Sequence, residues 1–193
     1  MLASELVAGL RSRHERSTQP SSKELVTAID VVNETIEQSG HEKSIAAYFG
    51  ACMAPLDNTK VKDNADIFTA LCTLLATVMQ HTPASYLRSK FTTVSKILLT
   101  TYEDFASQQH TAGERAVLQC LGLCLQNMDT SCTWAPVAAP FAALLKATMH
   151  HSPKVRKVAQ ENLATIVATV HGTPALQPCS SEIAVGALQS AAA

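Results

Sequence analysis

Seven histidines, six cysteines and scattered carboxylates are the residues that could carry chemistry in this chain. His81 and His151 fall at helix-to-helix turns and His150 at a helix end, where a partial positive charge complements the backbone dipole. Capping or solvation is therefore expected of them rather than metal ligation. Cys120 and Cys124 share a predicted helix face, with Cys132 beyond them and His110 before. A thiolate zinc site can be drawn from these four, but closed structural sites usually carry a Cys-x-x-Cys knuckle, and none occurs. Glu103, Asp104 and Glu114 read as helix-terminus charges, because no second carboxylate shares a face with any of them to make a general acid and base. Neither a glycine-rich phosphate loop, nor Gly-x-Ser-x-Gly, nor His-Glu-x-x-His is present. No catalytic residue, cofactor site or metal site is expected, and the chain reads as noncatalytic.

The cations are more informative. Lys154, Arg156 and Lys157 cluster in the first turns of one predicted helix, where positive charge opposes the macrodipole and so needs another reason to be there. Arg88 and Lys90 take a similar place after Pro83, and Arg11, Arg13 and Arg16 form a third group. Two readings stand: contacts to a nucleic-acid backbone or partner, or long stems that cover apolar ridges and pair with acids of neighbouring helices. Trp134, the single tryptophan, is expected to seal a helix junction.

The elements that must position these residues follow from composition and spacing. At 193 residues with 47% hydrophobic and 16% charged, the chain is large enough for one core without disulfides or metal. A net charge of −1 removes any global field that would attract nucleic acid, so such a contact would be local. Cys52, Cys72, Cys120, Cys124, Cys132 and Cys179 lack the short spacings of a disulfide framework and suggest buried, reduced thiols in an intracellular compartment. Glu5 followed by Arg11, Arg13 and Arg16 is the wrong charge order for a secretion signal. The apolar run from Ile67 to Met79 is too short to span a bilayer.

Helical spacing recurs nearly everywhere. Leu25, Ile29, Val32 and Ile36 step along one face, and Ser21-Ser22-Lys23-Glu24 supplies a capping-box pattern before them. Ile45, Tyr48, Phe49 and Cys52 form a second face, which Pro55 and Asp57-Asn58 are expected to interrupt. Further faces comprise Ile67, Leu71, Leu74, Leu75 and Val78; Leu87, Phe91, Val94 and Leu98; Val117, Leu118, Leu121, Leu125 and Met128; Val137, Phe141, Leu144 and Leu145; and Val155, Ala159, Leu163, Ile166 and Val170. Only His81-Thr82-Pro83 separates two of these helices. Thr82 is the expected N-cap and Pro83 the first helical residue, which predicts an antiparallel hairpin. No segment alternates with period two, so no strand is predicted.

About seven or eight helices with short loops admit a closed bundle or a solenoid of stacked pairs. Met79-Gln80-His81-Thr82-Pro83 and Met149-His150-His151-Ser152-Pro153 share the form Met-x-His-hydroxyl-Pro, 70 positions apart, close to two repeats. The segment Val155-Arg156-x-x-Ala159-x-x-x-Leu163 resembles the second helix of a HEAT repeat. The prediction is therefore all-α, an α-solenoid of HEAT/armadillo-like antiparallel pairs. Three helices lie between the two similar turns, so either one turn links repeats or one helix is an insertion. The expected organisation is an N-terminal helical or flexible arm over 1–20, HEAT-like repeats over 21–172, and a tail or incomplete repeat over 173–193. In that tail Ile183, Val185 and Leu188 form a candidate partner-facing apolar segment, on which a companion chain continuing the solenoid would dock.

Thr82-Pro83-Ala84-Ser85-Tyr86-Leu87-Arg88-Ser89-Lys90-Phe91, Arg115-Ala116-Val117-Leu118-Gln119-Cys120-Leu121-Gly122, Trp134 and Ser152-Pro153-Lys154-Val155-Arg156-Lys157-Val158-Ala159 occur in an order and spacing that resemble one family. It is the N-terminal region of ribosomal RNA processing protein twelve, and the resemblance covers roughly residues 20–172. It implies a large HEAT-repeat protein of the nucleus and nucleolus, one that joins small-subunit precursor particles and assists their maturation and export. Partners implied are ribosome-assembly proteins and the backbone of pre-ribosomal RNA, with no membrane. No catalytic residue or cofactor is carried over. On this reading Arg88, Lys90, Lys154, Arg156 and Lys157 are the candidate RNA or partner contacts. The alternative is a HEAT-repeat adaptor in transport or cytoplasmic scaffolding that makes no RNA contact.

Overall fold

The computed structural model describes residues 3–58, 64–128 and 134–170. Among them eight helices follow one another and no strand occurs: α1 (Ala3–Glu15), α2 (Pro20–Gln38), α3 (Ile45–Asn58), α4 (Ala65–Gln80), α5 (Ala84–Ser107), α6 (Thr111–Gln126), α7 (Trp134–Ala147) and α8 (Pro153–Val170). From α2 to α8 the buried faces follow the stripes that the spacing marks, with Ile45, Ile67, Leu145 and Leu163 only partly buried. Leu25, Ile29, Val32 and Ile36 of α2 face inward, as do Leu71, Leu74, Leu75 and Val78 of α4. Val117, Leu118, Leu121 and Leu125 do the same in α6. Burial of each such side chain stabilises the fold by about 1.5–3 kcal/mol. The buried apolar residues form one continuous cluster from Ala3 to Ile166. Among the described residues no helix is long and apolar enough to cross a membrane.

The helices pair as α1/α2, α3/α4, α5/α6 and α7/α8. The second members, α2, α4, α6 and α8, stack side by side in one layer, and α3, α5 and α7 adjoin one another in the other. This is the two-layer architecture of an α-solenoid. It also resolves the odd helix count, because the His81–Pro83 turn links two pairs whereas the turn before Pro153 closes one. The antiparallel hairpin expected of α4 and α5 does not form: α4 packs on α2, α3 and α6, and α5 packs on α6.

Three local expectations are corrected. Pro83 is the N-cap of α5 and Ala84 its first residue, while Thr82 is buried with its hydroxyl donating to Val78 O at 2.9 Å. The hydroxyl thus satisfies the end of α4 rather than the start of α5. In α2, Pro20 takes the first turn and Gln19 the N-cap without a side-chain bond. The residues read as a capping box lie inside the helix, and Ser22 is buried against His14 instead, 3.1 Å from its Nδ1. Finally, α3 continues through Pro55 to Asn58. Burial of Leu56 in the core offsets the hydrogen bond that the proline ring removes.

Side chains hold the pairs in register. The Arg11 guanidinium donates to both carboxylate oxygens of Asp30 (2.9 and 3.3 Å) and to Glu15 (3.0 Å), tying α1 to α2. Tyr48 donates to Asn33 Oδ1 at 2.6 Å between α3 and α2. Gly122 lets α8 lie directly on α6, since a Cβ there would overlap the buried side chain of Asn162. That amide donates to Val158 O at 2.9 Å and accepts from Gln126 at 3.3 Å.

Candidate functional site

The two cation clusters begin at helix starts, and the pairing sends them to different places. Arg88, in the second turn of α5, donates to Asn127 O at 3.1 Å, beyond the end of α6. The start of α5 therefore lies beside the end of α6. Arg156, in the first turns of α8, donates through Nη1 to the carbonyls of His150 (2.8 Å) and His151 (2.9 Å). Those carbonyls belong to the turn after α7, whose His150 meets the first turn of α6. The start of α8 thus shares an edge with the start of α6, opposite the edge that carries Arg88 and Lys90. The structure does not bring the five cations into one patch.

Their roles differ too. Arg88 and Arg156 brace turns, each through one nitrogen that donates to carbonyls at a chain reversal. Lys157 is exposed and lies 3.8 Å from Glu161 one turn on, a distance at which a surface pair contributes little. Lys90 and Lys154 are exposed. Of these five, the lysines left without a hydrogen bond for a phosphate or an acidic partner are Lys90 on one edge and Lys154 with Lys157 on the other. Arg11 and Arg13 are also engaged, the latter donating to Gly9 O at 3.2 Å. Trp134 packs edge-on to Phe141 at 5.7 Å and closes the start of α7 on the core.

The edge that carries the start of α8 also holds a repeated histidine device. His110, the N-cap of α6, accepts the Gly113 N–H at Nδ1 (3.1 Å) and reaches Asp66 Oδ1 in the first turn of α4 with Nε2 (3.1 Å). His150 repeats the arrangement one pair later. Its Nδ1 accepts the Ser152 N–H at 3.1 Å, and its Nε2 stands 3.0 Å from Glu114 Oε2 in the first turn of α6, off the line of a full hydrogen bond. Because Nδ1 is an acceptor in both rings, the network places the proton on Nε2, which is in line with the Asp66 carboxylate in His110 and beside, but out of line with, the Glu114 carboxylate in His150. Each turn histidine thus caps its own pair and touches the preceding one. Glu114, read as a helix-terminus charge, is 1% exposed. A signal was present in the 40-residue interval from His110 to His150.

The thiols belong to the core. Burial pushes Cys52 and Cys124 up to about 12 and raises Cys72 and Cys120 as well, so all four stay protonated and unreactive at neutral pH. Cys120 Sγ donates to Cys72 O at 3.3 Å, joining α6 to α4. Among the described residues no three His, Cys, Asp or Glu side chains converge as a metal would require. Cys132, Cys179 and the apolar residues Ile183, Val185 and Leu188 lie outside the described residues.

One concave feature crosses the layer of second helices. A groove of about 550 Å³ runs along α4, lined by Thr69, Thr73, Thr77 and Gln80, with Glu24 of α2 on one flank and Arg115 and Gln119 of α6 on the other. The three threonine hydroxyls donate to carbonyls one turn back, at 2.8, 2.8 and 3.1 Å. Oxygen lone pairs and methyl groups remain for the groove.

Stacked antiparallel pairs with braced turns and a continuous core define an α-solenoid of HEAT type, a scaffold class that works through its surfaces. The family model for RRP12-like N-terminal HEAT repeats matches residues 3–190, and the chain belongs to that family. It is 28% identical over 156 residues to the human RRP12-like protein, covering 80% of this chain and 12% of that protein. Identity to the chicken RRP12-like protein is again 28% over 156 residues, and to the fruit-fly RRP12-like protein 26% over 164 residues, 84% of this chain and 11% of the other. The chain thus spans about an eighth of the length of these relatives. No solved structure matches it.

Proposed function

We propose that this chain is a noncatalytic scaffold for ribosome assembly, acting within a small-subunit precursor in the nucleus and nucleolus, where pre-ribosomal RNA is processed and matured toward export. The observation that carries this reading is the family match across residues 3–190, together with relatives named RRP12-like. Its surfaces support contact at a few points rather than through a general field: Lys90 at one edge, Lys154 and Lys157 at the other. Neighbouring assembly proteins cover the rest. The test is affinity purification of the chain followed by RNA crosslinking. Precursor ribosomal RNA and small-subunit assembly proteins should be recovered together. Recovery of other scaffold proteins without precursor RNA contradicts the reading.

The second reading, a HEAT adaptor for transport or cytoplasmic scaffolding without RNA contact, is favoured by one observation. Two of the five cations that would meet phosphate, Arg88 and Arg156, are committed to backbone carbonyls. The triple variant Lys90→Glu, Lys154→Glu and Lys157→Glu, with both arginines retained, separates the two. The scaffold reading expects weaker, less salt-sensitive particle association with unchanged helical circular dichroism.

A further inference from the structure

The groove along α4 carries two charges that the fold leaves unpaired. Glu24 on α2 and Arg115 on α6 are both half-buried in its walls, and among the described residues neither has a hydrogen-bond or ion-pair partner. Arg11, Lys43 and Arg156, of similar exposure, are engaged by contrast: with Asp30, with Glu37 and with turn carbonyls. Both charges are therefore available to a ligand, and the two, of opposite sign, face one cavity from either side of α4.

We propose that this groove receives an extended peptide of about six residues, with a basic group near one end held by Glu24 and a carboxylate near the other held by Arg115. Packed helices lie about 8–10 Å apart, so the α2 and α6 axes are separated by about 16–20 Å. An extended chain advances about 3.3–3.6 Å per residue, which places groups five or six positions apart over the two charges. The floor suits a main chain. The amide N–H groups of Gln119 can donate, and the threonine oxygens of α4 can accept from peptide N–H groups. A nucleic-acid strand suits it less, because Glu24 and Asp66 both line the groove and would repel phosphates. The groove thereby complements a zwitterionic segment of protein, and it lies on the layer of second helices, apart from Lys90 on α5.

A randomised ten-residue peptide library selected on the immobilised full chain tests this. Recovered peptides should be enriched in an acidic and a basic residue about five positions apart. Fluorescence anisotropy of a recovered peptide should show at least about a tenfold loss of affinity for Arg115→Glu and for Glu24→Lys. A peptide with its two charges exchanged should regain binding to the double variant. Thr73→Trp fills the groove without altering either charge and should abolish binding while helical circular dichroism is retained. Should Arg115→Glu lose that signal, Arg115→Gln supplies the same comparison. Failure to select any peptide, selected peptides indifferent to both charges, or an oligouridylate that binds and displaces them would each overturn the proposal. Precursor association is measured separately, so failure here is distinguishable from failure of the scaffold reading.

Discussion

The turns at Met79–Pro83 and Met149–Pro153 share the pattern Met-x-His-hydroxyl-Pro, yet one joins two helix pairs and the other closes a single pair. In the first, Met79 is buried, His81 is exposed and the buried Thr82 hydroxyl finishes α4. In the second, Met149 is 63% exposed, and His150 reaches Glu114 while Arg156 ties the turn's carbonyls. The histidine common to the pattern, His81 or His151, is exposed in both. The difference rests on the preceding position, Gln80 in one turn and His150 in the other. Local pattern therefore fixes where the chain reverses, and the residue beside it decides whether the reversal also registers one pair on the next.

The largest contrast is expected at the methionines. Met79→Ala leaves a cavity under the linking turn and should lower stability by about 2–5 kcal/mol in urea unfolding, whereas Met149→Ala should stay within about 1 kcal/mol. Equal losses at the two sites would mean that the turns are buried alike. Next come the residues that differ. His150→Ala leaves the Glu114 carboxylate buried without its neighbour and should cost about 2–3 kcal/mol. Its counterpart Gln80→Ala, on the groove surface, should cost no more than about 0.5 kcal/mol. A smaller loss, about 1 kcal/mol, is expected from His110→Ala, because Asp66 is 67% exposed in its side chain and the main deficit is the lost cap on α6. Thermal unfolding would rank these three, and a loss at His110 above that at His150 would invert the account.

Much of the fold was legible. The steps Leu25, Ile29, Val32, Ile36 and Val155, Ala159, Ile166 mark helices whose buried faces match the spacing, because a 3.6-residue period leaves little choice of face. The family too was legible, in Pro153-Lys154-Val155-Arg156-Lys157 and the segments before it. Pairing phase was not, since the turn at His81–Pro83 reads identically whether it lies within a pair or between two. The roles of Arg88 and Arg156 were hidden because their acceptors are carbonyls exposed only when the chain reverses. Glu114 looked like a surface charge because its histidine partner is supplied by the next pair, 36 positions later. The groove required three helices from three pairs, and no local window contains Glu24, Thr73 and Arg115 together.

The account's central claim is that a turn histidine registers its own helix pair on the one before. A double-mutant cycle between His150→Ala and Glu114→Ala, read by urea unfolding of the full chain, measures that coupling most directly. The structure predicts a coupling of about 1–3 kcal/mol, and none between Gln80→Ala and Glu114→Ala. A His150–Glu114 coupling below about 0.3 kcal/mol would contradict it.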